Sequence, residues 1–387
     1  MKHRLTRQEL LQRAAFGAAL ASVPGLAAAC GGGSSSSGGA GGSGTQQLAD
    51  TLRFSNWPLY IDIDPKTKKP GTLADFTKKT GVKVDYVEDI NSNSEYFGKI
   101  QGPLSRGESI NKDIIVLTDN ERYLALMIDK GWAEPLDKDA IPNIANLVDV
   151  QRHPGFDPDR KYTLPWQSGM TGIAYNAKLT KPILSIDQLL EDKSLHGKIT
   201  VLNDFADTLG LVMLANGDDP SKVTDATFNS SLERIKAASD SGQIRQFTGN
   251  DYAGPLSKGD LLACIAWSGD IVQLQADNPN LKWNIPAKGG MIWTDNMLIP
   301  KGGDAFTAST YMNFVYTPSV AAKMAEGIQY VTPVKGAKEV LAKTDPKLAS
   351  NQLIFPSEET LSRVHLIDPA ALKSQSYNEK WQAVLGA

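Results

Sequence analysis

Cysteine, histidine and long apolar runs are all scarce in this 387-residue chain, and each scarcity removes a class of function. Two cysteines, Cys30 and Cys264, leave no basis for a disulfide framework or a Cys/His metal site. Cys264 sits in LLACIAW (261–267), where a lone thiol reads as a small core residue. Apart from His3, the histidines are His153, His196 and His365, scattered and without HExxH spacing. His153 precedes Pro154 and His196 precedes Gly197, which predicts surface placement. There is no GxSxG elbow and no Walker loop. GDD at 217–219 runs into Pro220 and Ser221 and reads as a loop, because a calcium site needs further oxygen ligands at fixed spacing. Without a nucleophile, acid/base pair, metal cluster or cofactor loop, the chain is not expected to be an enzyme or to carry a cofactor. No Lys/Arg-rich run follows residue 29, and the basic stripe of a nucleic-acid binder is missing.

What is present begins at the N-terminus. Lys2, Arg4, Arg7 and Arg13 precede AAFGAALASVPGLAAA (14–29), a small-residue run too short and too interrupted by Pro24 to span a bilayer. This predicts a signal peptide over 1–29, cleaved before Cys30. Cys30 followed by GGGSSSSGGAGGSG (31–44) resembles a lipobox, with Ala27 where Leu is commonest. Cys30 would then be lipidated, and 30–49 would form a Gly/Ser tether with a reach of roughly 20 Å. A plain flexible linker is the alternative reading of the tract. TRQELL (6–11) is an imperfect match to a twin-arginine signal, and the export route stays open.

Removing the four basic residues and Glu9 of the signal leaves 36 basic against 42 acidic residues, a net charge of −6. The roughly 340 residues beyond the tether suffice for two lobes of ordinary domain size. Short β-branched runs alternate with stretches of helical period, the pattern of an α/β architecture. Strands are predicted at 52–55, 82–87, 113–117, 171–175, 198–202, 264–267 and 296–299. Helices are predicted at 72–81, with Thr72 as cap and Gly81 as stop, and at 225–239. No internal repeat occurs.

Several predicted strands end in polar or aromatic residues: Asn56-Trp57, Thr118-Asp119, Asn203-Asp204 and Trp267-Ser268. Ligands in open α/β sheets collect beyond the carboxyl ends of strands, so these side chains point toward one cleft. Aromatics and carboxylates recur together there: Trp57 with Tyr60, Asp204 with Asp207, Trp267 with Asp270, and Trp293 with Asp295. An organic cation suits such a lining, through carboxylate hydrogen bonds and aromatic faces at about 0.5–2 kcal/mol each. Methylenes between ammoniums add about 0.8 kcal/mol per buried CH₂. Bland readings stand beside this one. Asp204 and Asp207, three apart, also suit a helix N-terminus, Trp267 and Trp293 suit a core, and Tyr60 suits a turn after Pro58.

Along nearly the whole mature region the chain resembles the spermidine/putrescine-binding components of bacterial ABC importers. The resemblance lies in SNWPLYID (55–62), DIIVLTDN (113–120), YTLPWQSGMTGIAYN (162–176), KITVLNDFAD (198–207), CIAWSGD (264–270), KGGMIWTDNMLIPKG (288–302) and GIQYVTPVKGA (327–337), in that order. It implies a two-lobed periplasmic-binding-protein fold of type II, with two crossovers and a ligand cleft between lobes. Lobe 1 would take 50–163 and 295–338, and lobe 2 would take 164–294 and 339–387. Trp57, Trp267 and Trp293 would clamp methylenes, Asp204, Asp207 and Asp295 would take ammoniums, and Tyr60, Thr118 and Tyr330 would complete the site.

Three departures bear on ligand length. Thr118-Asp119-Asn120-Glu121 lacks the aromatic common in that loop, Asp207 stands where spermidine binders have Glu, and LSRVHLID (361–368) does not clearly keep a ligand glutamine. The function implied is that of an extracytoplasmic lipoprotein, anchored through Cys30 at the outer face of the cell membrane or in the periplasm. As a monomer it would capture a linear polyamine and deliver it to an ABC permease driven by a cytoplasmic ATPase. Alternatives are another cationic or amino-acid-derived solute, or a surface sensor lipoprotein without transport.

Overall fold

A computed structural model describes residues 46–386 apart from Pro65. The expected signal, Cys30 and the tract at 31–44 lie outside the described residues. The last residues of the expected tether are already attached to the globular part. Leu48 packs on the core, and the Ala49 N–H donates to Thr307 Oγ1 at 2.9 Å.

Eleven strands follow in chain order. They are β1 (Thr51–Asn56), β2 (Lys83–Glu88), β3 (Ile114–Thr118), β4 (Ala133–Glu134), β5 (Thr163–Asn176), β6 (Ile199–Leu202), β7 (Ile244–Thr248), β8 (Ala263–Trp267), β9 (Leu281–Asn284), β10 (Gly290–Pro300) and β11 (Val364–His365). Their order is β2-β1-β3-β10-β5-β8-β6-β7, with β4 and β11 on β10 and β9 on β5. Within β2-β1-β3 and within β8-β6-β7 the strands are parallel. The two parallel sets are joined through β5 and β10, which run antiparallel to each other, β10 also to β3 and β5 also to β8.

Helices cover the sheet, so its inner parallel strands are buried on both faces and read as apolar runs, while β2 and β7 at the edges are partly exposed. IIVLT of β3 and ITVL of β6 are buried at every position. Phe54, Trp166 and Tyr311 meet in edge and stacked contacts at 5.5–6.5 Å between centroids, forming one aromatic knot of the core. The helix Phe205–Asn216 is apolar nearly all round and is buried from Phe205 to Leu214, as a helix at the centre of a fold must be. Cys264 is fully buried in β8, as its apolar neighbours predict, and His153 and His196 are exposed.

All seven predicted strands are present, most within a residue or two; 171–175 and 296–299 are pieces of the long β5 and β10. Gly81 closes its helix at φ 83°, a conformation glycine adopts without a Cβ penalty. Thr72 is not the cap of that helix. The helix begins at Gly71 behind Pro70, and Thr72 gives both its N–H and its hydroxyl to Asp62. A partner ten residues upstream satisfies the first turn, so the local window misassigns the cap. The helix Asp225–Asp240 is capped by Thr224, whose hydroxyl accepts the Thr227 N–H. Residues 217–219 form the loop expected of them, with Gly217 at φ 89° ending the preceding helix.

Candidate functional site

A cavity enclosing about 340 Å³ of atom-free space lies at the carboxyl ends of β1, β3, β6 and β8 and beside β10. All nine residues expected to bind ligand line it: Trp57, Tyr60, Thr118, Asp204, Asp207, Trp267, Trp293, Asp295 and Tyr330. Pro58, Asn120, Asn250 and Asp270 complete the lining. No Lys, Arg or His is among them.

Each side chain arrives by a simple local device. Pro58 cannot extend the β1 ladder, so the chain turns at Trp57, passes Leu59 at φ 61°, and directs Tyr60 inward. Trp293 and Asp295 are two apart on β10 and therefore share one face. The β10–β5 register shifts between Asp295 and Asn296, a bulge of the kind that re-aims a side chain beside a site. Trp267 ends β8, and Asp270 lies in the first turn of the helix Ser268–Leu274. Tyr330 follows Gln329, which stops its helix in the left-handed region at φ 60°.

Asp295 is held from two sides. Tyr60 Oη donates to Oδ2 at 2.7 Å and Thr118 Oγ1 to Oδ1 at 2.6 Å, and Asn93 Nδ2 in turn donates to Thr118 Oγ1 at 3.0 Å. Burial pushes the Asp295 carboxyl up to about 7, against those two donors, with Asp119 and Asp207 adding like charge.

Asp204 caps a helix and also faces the cavity. Its Oδ1 accepts the Asp207 N–H at 2.9 Å as the cap of Phe205–Asn216, while the residue also lines the cavity. Asp207 accepts Trp267 Nε1 at 2.8 Å and Asn120 Nδ2 at 3.2 Å. Burial holds both carboxyls well above the ordinary carboxylate range despite the positive helix end. Glu121 hydrogen-bonds Asp204 and lines a second cavity of about 270 Å³, and burial raises it to about 7. The loop departure at 118–121 therefore places an amide in the main cavity and a third carboxyl behind Asp204.

Asp270 accepts Asn250 Nδ2 at 2.8 Å, Tyr252 Oη at 2.7 Å and Tyr330 Oη at 2.9 Å. Aromatic walls stand between the acids. Trp57 and Trp293 each meet Trp267 edge to face, at 5.9 and 6.2 Å between centroids, and Tyr330 packs on Tyr60 at 5.0 Å and on Trp293 at 5.8 Å. Trp267 and Trp293 are as buried as core residues and line the cavity as well.

Sequence reasoning paired Asp270 with Trp267 without placing it in the site, and it missed Asn250. Asp270 was legible as the acid three residues after a site tryptophan. Asn250 opens a short 3-10 turn after β7 and carries no periodic signal. Residues 361–368 contribute nothing to the cavity lining. Among the described residues, no His/Cys/Asp/Glu group could hold a metal ion, and no helix is long and apolar enough to cross a membrane.

The sequence and the fold both have known relatives. The chain is 27% identical over 343 residues to the spermidine/putrescine-binding periplasmic protein of Escherichia coli, covering 86% of this chain and 91% of that one. It is 27% identical over 339 residues to a putrescine-binding periplasmic protein of the same organism, covering 81% and 85%. Among solved structures, a putative spermidine/putrescine ABC transporter from Listeria monocytogenes superposes with a TM-score of 0.73 at 24% identity, over 87% of this chain and 98% of that one. The shared fold is that of two-lobed periplasmic binding proteins. Residues 72–355 match the bacterial extracellular solute-binding proteins, a family of binding proteins rather than enzymes, and the chain belongs to that family.

Proposed function

We propose that the protein captures a linear polyamine of the putrescine/spermidine class and presents it to an ABC importer. One observation carries this reading. Asp295, Asp204 and Asp207 are buried in a cavity walled by Trp57, Trp267, Trp293 and Tyr330, without a single cationic side chain in its lining. Buried carboxylates require a charged or protonated partner. Ammonium groups supply that charge, and the indole and phenol faces suit the methylenes between them. The names of the two Escherichia coli relatives agree with this ligand class.

Lobe boundaries near 163/164 and 294/295 are supported by the way the two parallel strand sets change over along β5 and β10, and the one near 338/339 is carried by the family resemblance alone. Cavity residues come from both sets, so ligand would favour the closed arrangement of the lobes. Cys30 would be the lipid anchor, the working form a monomer, and the partners a permease with its cytoplasmic ATPase. Lipobox-like sequence and the periplasmic relatives support an extracytoplasmic location.

A second reading, another cationic or amino-acid-derived solute, is favoured by the amide of Asn120 in place of an aromatic wall. Isothermal titration with putrescine, cadaverine, spermidine and spermine separates the two. Saturable one-to-one binding to any of them is expected, and silence across all four from folded protein overturns the polyamine reading.

A further inference from the structure

Two asparagines in the cavity share an arrangement that the carboxylates do not. Asn120 is 5% exposed and Asn250 is 9% exposed. Each donates its side-chain N–H to a cavity carboxylate, Asn120 to Asp207 at 3.2 Å and Asn250 to Asp270 at 2.8 Å. That donation fixes which way each amide faces, because turning it over would set its oxygen against a carboxylate oxygen. In both residues Oδ1 is then left buried and without a hydrogen-bond partner. An unpaired buried acceptor is costly, and two in one cavity lining call for donors within it.

The acids behind these amides are already engaged. Asp207 receives the Trp267 indole N–H on its other oxygen, and Asp270 receives Tyr252 and Tyr330. An amide that donates to a carboxylate is polarised, and its oxygen becomes a stronger acceptor. We propose that Asn120 and Asn250 are direct ligand contacts, each offering its side-chain oxygen to one terminal nitrogen of a linear diamine or triamine. This rests on the polyamine reading and narrows it. The ligand carries N–H donors at both ends and no carboxylate, since an added anion would face the cavity carboxylates and these two amide oxygens.

Titration of residues 46–387, one compact unit, with putrescine, N-acetylputrescine and ornithine tests this. The parent is expected to bind putrescine and to reject ornithine, which differs by one carboxylate. Asn120→Ala and Asn250→Ala are each expected to weaken putrescine about tenfold, the loss of one hydrogen bond to a charged group. N-acetylputrescine has one charged end, and its affinity is expected to respond to only one of the two variants. A general loosening of the site weakens both ligands in both variants, and that result overturns the proposal. Putrescine affinity within twofold of the parent in both variants also overturns it, as expected if ordered water serves these oxygens. Ornithine binding as tightly as putrescine overturns it on the parent alone, whatever the folding of the variants. If the parent binds none of the four polyamines, the polyamine reading fails and takes this inference with it. Binding by the parent with indifferent variants removes only the inference.

Discussion

Tyr60 and Asp295 lie 235 residues apart in the chain and are joined by a 2.7 Å hydrogen bond, phenol to carboxylate. Tyr60 stands in the loop after the first strand and Asp295 in the middle of β10, next to the bulge. Desolvation by burial, with Asp295 as the nearest charge, raises the Tyr60 phenol well above its ordinary value, so it remains a donor throughout the physiological range. Thr118 occupies the other carboxylate oxygen with its hydroxyl. Asp295 is thus fixed in position by two neutral donors while nothing in the cavity lining neutralises its charge.

Asp295→Asn keeps the size of the side chain and removes the charge. An ammonium that loses its buried carboxylate is left desolvated and unpaired, at a cost of about 3–5 kcal/mol, or more than a hundredfold in affinity. Titration of the variant with the ligand that the parent binds best checks this. Unchanged affinity would remove Asp295 from the centre of the site.

The pH dependence of binding and of stability should run in opposite directions. Burial lifts Asp295 from an ordinary 3.8 to about 7, and Glu121 from 4.5 to about 7. Between those values and pH 7 the folded chain holds protons that the unfolded chain has released. Stability without ligand therefore falls as pH rises through that window. Binding of a cation favours the ionised carboxylates, so affinity rises over the same window. Urea unfolding and titration at pH 5, 6, 7 and 8 check both slopes; slopes of the same sign would contradict the assignment.

Gly269, the second residue of the helix Ser268–Leu274, lies against the Tyr330 side chain, and a Cβ there would overlap the ring. Tyr330 cannot retreat, because it packs on Tyr60 and Trp293 and its hydroxyl bonds Asp270. Gly269→Ala is expected to cost about 1–3 kcal/mol of stability, the usual penalty of overpacking, and to weaken ligand binding in parallel. Urea unfolding and titration of the same preparation measure the two effects.

Much of this architecture could be read from the chain, and the parts that could not share a cause. Strands such as IIVLT and CIAW are uniform apolar runs, and their polar ends marked the cavity because parallel strands deliver their carboxyl ends to one side. Asp204 was ambiguous because helix capping and ligand binding ask for the same residue at the same place, and the structure has it cap the helix while lining the cavity. What escaped depends on distant partners. Asp62 serves the helix start at Thr72, Asn250 meets Asp270 only after the chain has passed through β8, and Glu121 finds Asp204 across 83 positions of sequence. Local pattern holds no record of such meetings.

Glu121 and Asp204 supply the last test. Their carboxyls are in hydrogen-bond contact, with Asn93 also reaching Glu121 and with Asp207 adding like charge. Two carboxyls in contact require a proton between them. At pH 5 that proton is present and the contact is a hydrogen bond. By pH 8 Glu121, raised only to about 7, has ionised, and desolvation makes that charge costly to the fold. Glu121→Gln puts an amide N–H donor where the proton was, and the donor stays at every pH. The variant is therefore expected to match the parent in stability near pH 5 and to exceed it by roughly 1–3 kcal/mol near pH 8, the range for a hydrogen bond to a charged group. Urea unfolding of parent and variant at both pH values gives the comparison. A difference that is the same at pH 5 and pH 8 would mean that Glu121 affects the fold by packing, not through a proton shared with Asp204.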